Sequence, residues 1–288
     1  MRKSLITTAV LGALAAPSFV FAADAAPAPD LTVAYNVGLY SQYIFRGLTQ
    51  TNHMPALQGG VDLSHSSGFY LGAWGSNVSW LTDGNDGASI KRYSSDYTES
   101  KYYKDGGSLE LDLYGGYKHT FGSGFGIDLG ALQYFYPGTR DTRYAKANTT
   151  EVYGAISYGW LQAKLSSVVS NSAWGWGVGS ATNPNAKKAD GTYYAELNAT
   201  IPIGDLIGGD VMKGVTGIAH IARQEFNAGS FIDDASYTDY KVGLQKTFDN
   251  GVNVGGYWTK ANTDDKMWTL RGKNIGDSTG TLYLQKTF

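Results

Sequence analysis

Apolar and polar residues alternate along the chain in a series of short segments, the pattern of β-strands with one face in an apolar environment. Between 108 and 121, for example, Leu109, Leu111 and Leu113 alternate with Glu110 and Asp112. Most segments are nine to fifteen residues long, and a tilted strand needs about 9–11 residues to cross a bilayer. Segments 69–80 and 215–224 alternate poorly, so their faces are not assigned. The predicted strands are 32–46, 56–65, 69–80, 108–121, 125–136, 150–158, 161–169, 192–203, 215–224, 237–248, 252–261 and 280–288.

The connections between these twelve segments alternate between two kinds. Tight, glycine-containing or small turns are typical of hairpins, whereas the other connections are long, polar and irregular. This alternation is typical of bacterial outer-membrane barrels, with tight periplasmic turns and longer external loops. It predicts an all-β, transmembrane, antiparallel up-and-down β-barrel over 32–288; a soluble β-sandwich gives no reason for it. The short connections are 66–68, 122–124, 159–160 and 249–251, with 204–214 longer; the long ones are 47–55, 81–107, 137–149, 170–191, 225–236 and 262–279.

The first residues have the pattern of an export signal. A positively charged start is followed by an apolar run over 5–16 and then by small residues. The run is too short to span a bilayer, so we predict a cleaved signal peptide over 1–22. Residues 23–31 then form a flexible lead-in. The predicted location is the bacterial cell outer membrane.

Composition narrows the function further. The chain contains no cysteine, which excludes disulfide scaffolds, thiolate zinc sites and cysteine nucleophiles. It has 23 basic and 25 acidic residues, without the basic excess of a nucleic-acid-binding domain. The 38 glycines and 39 aromatic residues fit an all-β chain with many turns, because glycine destabilises helices. No cofactor is implied.

The polar faces of the strands are expected to line the lumen of the barrel. The acids outnumber the bases, which would bias an aqueous pore towards cations. In the alternative, these charges pair across strands and fill a plugged interior, because twelve strands enclose less space than a sixteen-stranded porin. The predicted lumen-lining residues are Asp62, Glu110, Asp112, Asp128, Glu151, Glu196 and Asp239 with Arg46, Lys118, Lys164 and Lys241.

Arg46 is the first candidate for a specific role. We expect it at the loop end of the first strand, on the lumen face. There it could contact a solute or anchor loop 47–55 to a carboxylate. A bidentate bond between arginine and a carboxylate fixes geometry well, which favours the anchor.

Aromatic residues recur where strands meet the short turns. They predict a periplasmic aromatic girdle, with Lys246 and Lys286 close enough to the rim to extend to water. Phe288, on the final amphipathic strand, resembles the assembly signal of outer-membrane proteins, so the outer-membrane assembly machinery is an expected partner, beside outer-membrane lipid. The girdle residues are Phe121, Phe125, Tyr158, Phe248 and Phe288.

The segment 33–80 resembles a known family. It contains SQYIFRG at 41–47, followed by Thr49–Gln50, Pro55–Ala56, Gln58–Gly59–Gly60, Ser67–Gly68–Phe69–Tyr70, Trp74 and Ser76–Asn77. These elements are similar to the opening of the proteobacterial TorF-type porins. The resemblance is strong over these 48 positions and diffuse afterwards. It implies an outer-membrane barrel proposed to pass small solutes, and it carries over no substrate and no catalytic residue.

Three classes of function remain. The sequence favours a porin for passive diffusion of ions or small polar solutes. A structural or adhesive barrel without an open pore is the alternative. An outer-membrane lipid-modifying enzyme would need a serine–histidine pair on the lipid-facing wall. His220 lies in a strand whose face is not assigned, and it is the histidine to replace in a test of this class. No GxSxG motif occurs, so we expect no enzyme. Asp83–Gly87 suggests a calcium loop but lacks the later ligand spacing.

Overall fold

The computed structural model describes residues 30–84, 102–142, 144–177, 187–227 and 235–288. Twelve antiparallel strands close into a single barrel, which confirms the predicted fold class. The predicted signal peptide, the lead-in up to residue 29 and residues 85–87 of the possible calcium loop lie outside the described residues, so these assignments stay predictions.

Neighbours in the barrel are neighbours in sequence, and the first strand closes the ring against the last, with Val37 opposite Lys286. The strands are β1 (Leu31–Tyr40), β2 (Ala56–His65), β3 (Phe69–Asn77), β4 (Leu109–Thr120), β5 (Phe125–Phe135), β6 (Thr149–Tyr158), β7 (Leu161–Val168), β8 (Tyr193–Ile201), β9 (Val215–Glu225), β10 (Tyr237–Thr247), β11 (Val252–Ala261) and β12 (Thr279–Thr287).

Short elements occupy the connections. The described residues contain three helices of a single turn each, α1 (Trp80–Asp83), α2 (Ile203–Ile207) and α3 (Asp265–Trp268). Within the described residues, no helix is long and apolar enough to cross a membrane. Four small two-stranded sheets are present in the described residues. Three are hairpins, which pair Ile44–Phe45 with Leu48–Thr49, Ser172–Ala173 with Trp176–Gly177, and Thr269–Leu270 with Lys273–Asn274; the fourth pairs Tyr103–Gly106 with Gly138–Arg140 from two different connections.

The largest error in the predicted boundaries is at the first strand, which ends at Tyr40 and not at residue 46. The chain then forms the hairpin around Arg46–Gly47, where φ is +47° and +77°. A two-residue hairpin turn of type I′ needs positive φ at both central residues, and its twist matches that of the flanking strands. Arg46 is therefore a turn residue and not the end of a barrel strand. At β3 the prediction runs three residues too far, to 80 and not 77, because Trp80 begins α1.

The outer wall carries large aliphatic side chains that nothing in the described structure covers. Leu113 on β4, Leu129 on β5 and Val242 on β10 are each more than half exposed. Their neighbours in sequence point inwards, as the period of two requires. Monomeric soluble proteins rarely expose apolar patches of such extent, whereas a transmembrane barrel carries an outward apolar band.

The inner wall is built from pairs of glycine and an aromatic residue. Six inward aromatic side chains each lie directly opposite a glycine on the adjacent strand, and in several of these pairs the ring lies over that glycine. A Cβ on Gly72 would fall 2.4 Å from the Tyr114 ring. The ring therefore fits close to the wall only because the glycine has no side chain, a device that also stabilises glycine in strands. The pairs are Gly60–Trp74, Gly72–Tyr114, Gly116–Tyr70, Gly130–Tyr153, Gly243–Tyr257 and Gly255–Tyr283.

Candidate functional site: the lumen and its inward loop

The structure places the predicted lumen charges of the strands on inward-facing positions. Glu110, Asp112, Glu151 and Asp239 are almost completely buried, whereas Lys118, Asp128 and Lys164 are partly exposed. The burial follows height in the barrel for most of these residues: the buried group lies beside the long connections and most of the exposed group lies nearer the short turns, although Asp62, also near the short turns, is buried. The half of the lumen beside the long connections, predicted to be external, is therefore filled, and parts of the half beside the short turns, predicted to be periplasmic, are open to solvent.

The filling comes from residues 41–55, which we name loop L1. The sequence predicted 47–55 as an external loop, but the structure folds L1 into the barrel. The hydroxyl of Tyr43 donates to Oε1 of Glu110 on β4 at 2.7 Å. The side chain of Gln42 donates to Oγ1 of Thr279 on β12 at 2.8 Å, and Tyr43 itself is 2% exposed. L1 thus contacts strands on different sides of the ring.

Arg46 at the tip of the L1 hairpin bonds across the lumen. Its Nη1 and Nη2 donate to Oε1 and Oε2 of Glu151 at 3.0 and 2.7 Å, the bidentate arrangement, and Nη1 also donates to Gln224 at 2.9 Å. The guanidinium lies 4.3 Å from the centre of the Tyr194 ring. Burial would lower the pKa of Arg46, but the charge of Glu151 outweighs it and raises the pKa. This charged group therefore joins L1 to β6 and β9.

L1 also joins the other external connections in a shared apolar core. Leu48 from L1 packs in a cluster with Trp176, Phe226, Met267 and Ile275, which come from three further connections. The backbone of Thr49 donates to the carbonyl of Ile275 at 2.9 Å. The external mouth is therefore covered by packed side chains of the described loops.

One wall of the lumen carries a network around His220. Its Nδ1 lies 2.6 Å from Oδ1 of Asn198 and its Nε2 lies 3.1 Å from Oδ1 of Asp239. The Tyr194 hydroxyl donates to Oδ2 of Asp239 at 2.9 Å. His220 thus faces the interior and not the lipid-facing wall. The sequence could not assign this face, because small residues such as Gly217 and Ala222 hide the alternation of β9.

The wall formed by β2 to β6 pairs carboxylates with tyrosine hydroxyls. Tyr70 donates to Oδ1 of Asp128 at 2.6 Å, and Tyr114 donates to Asp62. The charges here are therefore held by neutral donors. Sequence analysis identified the carboxylates but missed the tyrosines. For Tyr114, the inward register two residues from Asp112 was a usable signal, whereas Tyr70 has no acid near it on its own strand.

The predicted girdle residues lie on the outside of the barrel beside the short turns. All five are at least about one third exposed. The ammonium of Lys246 donates to the carbonyl of Val211 at 2.7 Å, and that of Lys286 donates to the carbonyl of Asn250. Both lysines thus extend towards the turns. The girdle residues are Phe121, Phe125, Tyr158, Phe248 and Phe288.

The sequence belongs to a bacterial protein family of unknown function, Gcw_chp, whose model matches residues 24–288. That family has no assigned activity, so it identifies no solute. The finer resemblance to TorF-type porins stays a prediction. No curated protein matches the sequence.

Several solved porin structures are similar to this chain. The KdgM porin is 10% identical, with 89% of this chain and 98% of that chain covered at a TM-score of 0.45. OccAB1 of Acinetobacter baumannii is 11% identical, with 92% and 66% covered at a TM-score of 0.41. OpdK of Pseudomonas aeruginosa is 13% identical, with 91% and 68% covered at a TM-score of 0.38.

Proposed function

We propose that the protein is an outer-membrane channel for passive diffusion of ions or small polar solutes. The observation that carries the proposal is the contrast between the two faces of one closed barrel. Large aliphatic side chains stand exposed on the outer face, whereas the inner face carries charged and hydroxyl groups over its length. Hydrocarbon suits the first face and a water-filled passage suits the second.

In this proposal L1 is the constriction of the channel lumen. Side chains below L1, such as Lys118, Asp128 and Lys164, are in partial contact with solvent, so a solute entering from the periplasmic side meets charged walls first. The lumen-facing set has seven acids and four bases, which favours cations. Passage through the external half then requires L1 or its neighbouring loops to move.

A structural or adhesive barrel without an open pore is the second candidate. The apolar core that joins Leu48 to Trp176, Phe226 and Met267 supports it, because such packing closes the external mouth. An enzymatic role has no arrangement in its favour among the described residues. The absence of activity nevertheless stays a prediction, tested by lipid and ester hydrolysis with His220→Asn as the control.

The two candidates differ in conductance. Protein refolded in detergent is added to planar bilayers in a KCl gradient, and single-channel current and reversal potential are measured. A channel gives discrete steps, with a reversal potential on the cation-selective side. The matched variant Arg46→Ala releases L1 and should open more often. A barrel that stays ion-tight in both forms refutes the channel and favours the structural candidate.

A further inference from the structure

Asp112 on β4 is a buried carboxylate without a partner in the described structure. Its side chain is 0% exposed, and neither Oδ1 nor Oδ2 accepts a hydrogen bond. An isolated buried carboxylate is strongly destabilising unless a counter-charge or hydrogen bonds compensate it. This compensation is absent from the side chains around Asp112.

The nearby donors are already engaged by other carboxylates. Tyr43 donates to Oε1 of Glu110 at 2.7 Å, and Tyr134 donates to Oε2 of Glu151 at 3.0 Å. Arg46 is bidentate on Glu151. Of the three neighbouring carboxylates, Asp112 alone is left without a donor.

The charges acting on Asp112 make its position worse. Its principal electrostatic neighbours are Glu110 and Glu151, which are both negative. Glu110 stands two residues away on the same inward face of β4. The guanidinium of Arg46 is already paired with Glu151 and gives no hydrogen bond to Asp112. A cation beside Glu110 and Asp112 would supply the compensation that these side chains lack.

We propose that Glu110 and Asp112 bind a small hard metal cation beneath L1, with Ca²⁺ as the best match to the charge. Carboxylate oxygens are the ligands that Ca²⁺ and Mg²⁺ prefer. No group of three or more carboxylate, histidine or cysteine side chains converges with metal-binding geometry in the described residues, so the site has two carboxylates, completed by water or other oxygen atoms. The cation would hold Tyr43, and thereby L1, against β4.

The test is thermal unfolding of the full-length protein in detergent at pH 7.5. Protein is first stripped with EDTA in N-methylglucamine chloride, and CaCl₂, MgCl₂ or NaCl is then titrated at constant ionic strength. A cation that binds only the folded state raises the midpoint with the logarithm of its concentration. We expect a saturable onset and a rise of about 5 °C at 100 times the dissociation constant.

Matched variants locate the site. Asp112→Asn should lose the cation response, and Glu110→Gln should weaken it at least tenfold. Asp62→Asn removes a lumen carboxylate that already has a tyrosine donor, so it should keep the full response. If Asp112→Asn does not fold, the wild-type titration and Glu110→Gln carry the test.

Two results would overturn the proposal. One is a wild-type midpoint that is the same in stripped and cation-saturated protein, because Asp112 would then be compensated by a proton. The other is a cation response that survives in both Asp112→Asn and Glu110→Gln, because the binding site would lie elsewhere. A saturable response to Mg²⁺ or Na⁺ and not Ca²⁺ supports the same oxygen site.

Discussion

Replacing Arg46 with alanine should be one of the most damaging single changes in the lumen. The variant removes the bidentate bond to Glu151 and the bond to Gln224. It also leaves the Glu151 carboxylate, 1% exposed, without a counter-charge. L1 then loses its contact with β6 and β9. We expect the barrel to lose stability and L1 to leave the lumen.

The magnitude follows from the burial of the pair. Removing one partner of a buried ion pair costs about 3–5 kcal/mol, chiefly because the other charge remains. The contact with the Tyr194 ring adds about 0.5–2 kcal/mol. Lys213 provides a control for an exposed pair, because its ammonium lies 2.8 Å from Asp249 and both side chains are exposed. Lys213→Ala should cost far less than Arg46→Ala, because exposed ion pairs contribute little to stability.

The assay is urea unfolding in lipid vesicles followed by tryptophan fluorescence, which reports on Trp174 beside Arg46. The double variant Arg46→Ala/Glu151→Gln separates the two causes of the loss. Because glutamine carries no charge, the double variant should regain about 2 kcal/mol relative to Arg46→Ala. The same proteins are then compared in planar bilayers for the frequency of opening.

A loss below about 1 kcal/mol in Arg46→Ala would refute the reasoning, since that is the value of an exposed pair. A double variant less stable than Arg46→Ala would also contradict it, because the unpaired carboxylate would not be the cause. Unchanged stability with altered ion selectivity would assign Arg46 to solute contact and not to anchoring L1.

Three further predictions concern the outer wall, the inner wall and L1. Leu197→Arg should lower the free energy of unfolding in vesicles by about 2–4 kcal/mol, because it places a charge against hydrocarbon. Leu197→Ala introduces no charge and should cost little. Gly130→Ala puts a Cβ 2.5 Å from the Tyr153 hydroxyl, so it should push that ring into the lumen and lower the single-channel conductance. A Cβ on Gly280 has no heavy atom within 4 Å, so Gly280→Ala should leave the conductance unchanged. Burial lowers the pKa of His53, so the unfolded chain binds more protons than the folded protein as pH falls through about 6.5. Lowering the pH from about 7.5 to about 5 should therefore reduce stability more in the wild-type protein than in His53→Gln, as measured by urea unfolding at the two pH values.

The barrel was predictable because each strand must keep one face apolar and one polar over its length. The ends of strands such as 252–261 were predicted correctly for this reason. Where outward positions carry small residues, as in β3 and β9, the alternation was too weak to assign a face. The first strand was extended too far because 41–46 continues the alternation, although its side chains belong to a loop inside the barrel.

The candidate site was less predictable than the fold. Inward charges can be identified from the period of two, but their partners lie on strands far away in sequence, as with Arg46 and Glu151. The inward course of L1 depends on the turn at Arg46–Gly47 and on apolar contacts such as that of Leu48 with Trp176. These contacts join separate connections, so no local pattern reports them. The resemblance of SQYIFRG to a porin family marked the segment without showing what it does.

L1 contacts the wall at several points around its circumference, from Glu110 on β4 through Glu151 on β6 and Gln224 on β9 to Thr279 on β12. Such an element is a cross-brace within a hollow cylinder. The braced end should keep a round cross-section under lateral pressure from the surrounding bilayer, whereas the unbraced end can flatten. Changes in membrane thickness and tension would then deform mainly the unbraced end, which is predicted to face the cell.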